Sequence, residues 1–147
     1  MRRLSTLALL TCGLWGSCDP DPQFDGFLWE NTFACVPQPG HDCTIRVSVD
    51  RSGTLVLRNR GPETTRSLQM ETLSELAGFL LRSDVLPKIK ARAGCSSDRV
   101  LDAHQRVEVM LVDMEKIARS LDGCAGEPYT LLADWVSRLQ ALAMAPP

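Results

Sequence analysis

The sequence predicts an α+β domain, a mostly antiparallel sheet of four to five strands with two helices packed on one face. Three observations lead there. Two segments alternate apolar and polar residues with the period of two that a half-buried strand requires, Ile45-Val47-Val49 and Val107-Val109-Leu111. Two others repeat apolar residues at helical spacing, Leu73-Leu76-Ala77-Leu80 and Leu132-Trp135-Leu139-Leu142. Their order is strands, helix, strands, helix, so each of two hairpin units is closed by a helix.

From the start of the chain, Met1-Arg2-Arg3 precedes an apolar stretch from Leu4 to Trp15. That is signal-peptide length, well short of the roughly 18–20 residues that cross a bilayer as a helix. Gly16-Ser17-Cys18 ends the stretch, and polar Asp19-Pro20-Asp21-Pro22 follows. Small residues just before a cysteine at this place resemble the lipobox of bacterial lipoproteins. The resemblance implies that residues 1–17 are cut away and that Cys18 carries acyl chains. Residues 18–23 then form a tether, and residues 24–147 form a single domain. Trp15 stands where the pattern has Leu, Val or Ile. Cys12, with Leu9 ahead of it, is a more cramped alternative, and plain secretion with an incidental cysteine is another. Several acyl chains at ~0.8 kcal/mol per buried CH₂ would make the anchor effectively permanent. The implied address is the cell envelope, on the inner or outer membrane, facing the periplasm or the exterior.

Phe24 to Phe33 is aromatic-rich and reads as a first strand. A loop broken by Pro37, Pro39 and Gly40 leads to the alternating strand Thr44–Asp50. Asp50-Arg51-Ser52-Gly53 is a hairpin turn, with Gly53 free to take positive φ, and Thr54–Arg58 returns. Asn59–Thr65 reads as a loop around Gly61-Pro62, Met70–Arg82 as a helix, and Val85-Leu86-Pro87 as a short extended piece. Lys88–Cys95 is basic and irregular, followed by a hairpin of Arg106–Asp113 and Ile117–Leu121. Pro128 opens the last helix, which Ala145-Pro146-Pro147 stops.

If the chain is exported, Cys12 leaves with the signal and Cys18 takes lipid. Four cysteines remain, Cys35, Cys43, Cys95 and Cys124. An even set in an oxidising compartment implies two disulfides with three possible connectivities. Cys35 and Cys43 flank one turn-rich loop, and Cys95 and Cys124 flank a strand pair, which favours the local pairing. A metal site built on His41 and Cys43 is the rival reading, but there is no Cys-x-x-Cys spacing to support it.

Composition is that of a globular chain, 44% hydrophobic and 23% charged. Net charge is −2, and it becomes −4 when Arg2 and Arg3 leave with the signal. Nothing resembles the clustered basic face of a nucleic-acid binder. Helices on one face leave Arg46, Ser48, Val56, Arg58, Glu108, Met110 and Val112 on the other. Val56, Met110 and Val112 are the candidate partner surface, unless the first strand, with Phe27 and Trp29, lies over them. Asp98, Asp102, His104 and Glu108 fall short of an acid–base set, because nothing gives them a shared cleft. Ser96-Ser97 lacks the setting of a nucleophile elbow. The run Lys88–Arg92 reads as a solvated loop or as a contact for anionic head groups. No catalytic residue, metal ligand or cofactor is assigned.

The layout of the Ile45–Leu57 hairpin, the Met70–Leu86 helix with its Leu-Pro exit, the Val107–Leu121 hairpin and the helix from Pro128 resembles the emfourin-type domains. These are small bacterial inhibitors of thermolysin-like metalloproteases. The resemblance covers about 100 residues in generic apolar spacing, and the four cysteines depart from it. The expectation is therefore a lipid-anchored, non-enzymatic binding or envelope module. Its partners would be membrane lipid, through acylated Cys18, and an envelope or secreted protein. Inhibition of an exported metalloprotease is the alternative.

Overall fold

The computed structural model describes residues 23–96, 103–113 and 115–146. The signal peptide, Cys18 and the tether up to residue 22 lie outside the described residues, as do Ser97, Asp98 and Asp102. Six strands of the described residues form one sheet: β1 (Phe24–Phe33), β2 (Thr44–Asp50), β3 (Thr54–Asn59), β4 (Glu63–Ser67), β5 (Ala103–Leu111) and β6 (Lys116–Ser120). Their order is β4-β3-β2-β1-β5-β6 and every pair is antiparallel. Among the described residues three helices accompany them, α1 (Met70–Leu80), α2 (Leu86–Ala91) and α3 (Tyr129–Met144). The class is α+β. The sheet is larger than the four to five strands expected, and there is one helix more.

The extra strand is β4, where the sequence suggests a loop. Arg60 takes a left-handed φ of 57° and turns the chain, so that Glu63 to Ser67 pairs with β3. The extra helix is α2. Val85-Leu86-Pro87 winds up rather than extending, with the proline in the first turn where its missing N–H costs nothing. Ile89 is buried, and Arg92 ends the helix at a left-handed φ of 51°.

Alternation decides which side of each strand meets the helices. Phe27, Val47, Val49, Leu55, Leu57, Val107 and Val109 point one way and pack on Leu73, Leu76 and Leu80 of α1, Ile89 of α2, and Leu132 and Leu139 of α3. Burying a side chain of this size stabilises by about 1.5–3 kcal/mol. The buried stripe of α3 is Tyr129, Leu132, Val136, Leu139 and Ala143, a small rotation from the expected one. Leu142 is consequently exposed, and Trp135 is half-buried, stacked on Phe79 at 6.2 Å. Met70, the first residue of α1, is also exposed.

β1 sits in the middle of the sheet between β2 and β5, and its Phe27 and Trp29 face the helices. The first strand therefore does not lie over the opposite face.

Antiparallel pairing also gives the sheet two unlike ends. At the entry end β1 begins, the β2–β3 and β5–β6 turns close, and β4 runs into α1. At the other end lie the long connections, residues 34–43 and those before β5 and after β6. Both disulfides staple that end, Cys35–Cys43 across the first connection and Cys95–Cys124 beside the β5–β6 pair. Loop-closure entropy puts their stabilisation at about 2.6 and 3.6 kcal/mol.

Candidate functional site

The face of the sheet turned away from the helices is uncovered among the described residues. Registers place its side chains in rows across the strands. One row reads Glu63, Arg58, Arg46, Glu30, Arg106 and Ser120. Arg46 donates to Glu30 Oε2 through Nε at 2.8 Å and Nη2 at 2.6 Å, and Arg58 pairs with Asp42. Such exposed pairs contribute little to stability, about 0–1 kcal/mol each, so their effect is to fix where charge sits.

The neighbouring row reads Thr65, Val56, Ser48, Leu28, Glu108 and Ala118. Glu108 is the unusual member, a carboxylate whose side chain is only 7% exposed. Lys116 Nζ lies 2.6 Å from it on one side and Arg106 pairs with it on the other. Both cations reach over from half-exposed positions and close its contact with water.

In the next row toward the entry end, Met110 of β5 lies across Gly26 of β1. A Cβ at Gly26 would stand 2.7 Å from the Met110 methyl carbon, so the glycine makes room for the thioether. Leu28, Val56 and Met110 then floor a shallow depression of about 570 Å³, with Asp50, Ser48 and Thr54 on its walls. Of the three residues the sequence singles out as a partner surface, Val56 and Met110 line this hollow and Val112 does not. Leu111 N–H bonds Glu115 O, which closes the hairpin and places Val112 in the turn beyond the strand. Leu28 joins them instead. No local signal could have found it, because only the central placement of β1 brings it between β2 and β5.

At the disulfide end, residues 34–41 are exposed, and the loop is braced at its disulfide and at its turn. Gln38 and His41 exchange both backbone hydrogen bonds, at 3.1 and 2.9 Å, around Pro39-Gly40. Gly40 takes a φ of 79°, as the third position of a type II turn requires. His41 Nδ1 bonds the Arg60 carbonyl at 3.0 Å, and the Arg60 guanidinium lies 4.7 Å over the Phe33 ring. Val36 projects from this loop and is 84% exposed.

The remaining sequence candidates do not come together. His104 Nδ1 lies 3.2 Å from Asp122, while Glu108 stands four residues further along β5, roughly 13 Å away. Cys43 is committed to its disulfide, so it offers no thiolate beside His41. Among the described residues no three His, Cys, Asp or Glu side chains are grouped to hold a metal ion. The Lys88–Arg92 run is tied down in part, Lys90 to Glu115 and Arg92 to the carbonyls of Ser120 and Asp122. A second hollow of about 350 Å³ lies between the sheet and α3, lined by Trp29, Gln105, Tyr129 and Gln140. Burial pushes the Tyr129 hydroxyl up in pKa, and it donates to the Lys88 carbonyl at 3.2 Å.

Compared with models of known protein families the chain matches none, and no curated protein matches it.

Proposed function

We propose that the protein is an exported, lipid-anchored, non-enzymatic binding module of the cell envelope, anchored through Cys18. The observation that carries the reading is the pair of disulfides, Cys35–Cys43 and Cys95–Cys124. Such bonds persist in oxidising compartments and are rare in the cytoplasm. They agree in address with the basic, apolar and small-residue-cysteine order of residues 1–18. The surface offered to an envelope or secreted protein is the open sheet face, an apolar floor of Leu28, Val56 and Met110 within a rim of fixed charge. Aliphatic centre and charged rim is the composition of protein contact surfaces. Intact-mass measurement of protein purified from its native membranes tests the address: a chain beginning at acylated Cys18 and four hydrogens lighter than its thiol form supports it. A chain that keeps Met1 and free thiols sinks it.

A second reading, inhibition of an exported metalloprotease, is favoured by one observation, the braced Cys35–Cys43 loop with Val36 at its exposed side. A rigid loop enters a cleft with little ordering cost. Titration of a thermolysin-like endopeptidase with the oxidised protein tests it. Loss of peptidase activity that Val36→Asp abolishes supports inhibition, and full activity at excess protein removes it.

A further inference from the structure

We infer that the entry end of the sheet is the surface this domain lays against phospholipid head groups, with the disulfide end held away from the bilayer. The inference rests on the lipid-anchored reading and deepens it by naming which side meets the membrane.

Five residues lie between Cys18 and Phe24, a reach of at most about 20 Å when fully extended. The ten residues of β1 run on for roughly 30 Å. The entry end is thus held close to the lipid, while the Cys35–Cys43 loop begins one full strand length farther out.

Exposed apolar side chains are distributed with the same polarity. Five large hydrophobic residues are exposed among those described, Val36, Met70, Val112, Leu142 and Met144. Only Val36 is at the disulfide end. Val112, 45% exposed, is in the β5–β6 turn, and its N–H bonds the carbonyl of Gln23, the residue from which the chain leaves for the tether. Met70, 41% exposed, stands at the start of α1 just beyond β4, whose following residue Leu68 bonds Gly53 of the β2–β3 turn. Leu142 and Met144, 39% and 62% exposed, are in the last turn of α3. Arg66 of β4 fixes that turn through the Ala145 carbonyl at 3.2 Å.

Val112 and the end of β4 are four strand spacings apart, roughly 19 Å. The apolar residues therefore mark the margins of a broad end and do not form one compact patch. A protein partner needs a contiguous complementary surface, whereas a lipid interface accepts separate side chains at a common depth. Charge does not oppose the contact. Asp50 and Asp113 are turned onto backbone N–H groups of their own turns, and Glu115 is paired with Lys90. Asp25, Arg51 and, in the first turn of α1, Glu71 are exposed at this end, so its solvent-facing charge is small.

The test uses the full-length protein expressed with its own signal, its acylation read by intact mass. It is placed in nanodiscs of phosphatidylethanolamine and phosphatidylglycerol containing a lipid with a nitroxide on its head group. Amide signals of Arg51, Met70 and Val112 are expected to lose intensity to paramagnetic broadening, and those of Val36, Gln38 and Cys124 to keep it. Broadening at Val36 and Gln38, or equally at both ends, in acylated protein overturns the orientation and leaves the anchor intact. A mass without acyl chains removes the anchor itself, and the orientation with it.

Discussion

Asp50 holds the β2–β3 turn with a single oxygen. Its Oδ1 accepts from the N–H groups of Ser52 and Thr54, each at 2.9 Å, and from the Ser52 hydroxyl at 2.6 Å. Burial alone would push its pKa up, but the hydrogen bonds from Ser52 and Thr54 outweigh that and hold it below its ordinary 3.8. A lowered folded-state pKa means stabilisation that is present above pH 3.8 and lost as pH falls through the folded value. Asp50→Asn should therefore be less stable than wild type at neutral pH. The gap should narrow below pH 3.8, as urea midpoints across a pH series would read. Glu108 poses the opposite problem, a carboxylate with little access to water that depends on Arg106 and Lys116. Glu108→Ala leaves two half-exposed cations to recover solvent and opens a gap beside Leu28, at a cost of about 1–3 kcal/mol. Glu108→Leu fills the gap against Leu28 and should cost less than the alanine variant. An equal loss for both would show that the charge, not the packing, matters there.

Elements were legible in the sequence where one face is buried and the period repeats. β2 and β3 lie where the alternation puts them, and their inward residues are the expected ones. β4 was hidden because Glu63-Thr64-Thr65-Arg66-Ser67 is an edge strand without one apolar residue to mark a face. α2 was hidden by its length, six residues with a single buried anchor, Ile89. Trp135 misled because an aromatic counts as core in a periodicity argument, yet its ring sits at the rim between Phe79 and the Arg138 guanidinium. Two of the three floor residues of the open-face hollow were legible, Val56 and Met110, since alternation alone assigns their side. Leu28 was not, because strand order is a long-range property. The disulfides compensate for what the elements lack. The turns at the entry end are short, whereas residues 34–43 at the opposite end form a ten-residue connection that the Cys35–Cys43 bond closes. Cys95→Ala with Cys124→Ala should lower stability by about 3.6 kcal/mol, and Cys35→Ala with Cys43→Ala by about 2.6, because the larger loop releases more entropy when opened. Urea unfolding of the two double variants gives the order, and a reversed order would mean that residues 34–43 matter for more than loop closure.

At the scale of the molecule, the strand next to the tether is also the one on which the sheet depends. β1 pairs along its length with β2 on one side and β5 on the other. Without it the sheet divides into β4-β3-β2 and β5-β6, and the second of these is a lone hairpin, a unit marginal in water. Phe24 and Phe27, both fully buried, would leave the core as well. The boundary between tether and domain is thus sharp in energy. A chain beginning at Gln23 keeps every strand and both disulfides, and should melt within a few degrees of the longer protein. One beginning at Ala34, only eleven residues shorter, should show no cooperative transition by circular dichroism and no protected amides in β5. Cooperative melting of that shorter chain would mean that β2 and β5 can close on each other directly, and that the central place of β1 is not what holds the two hairpins together.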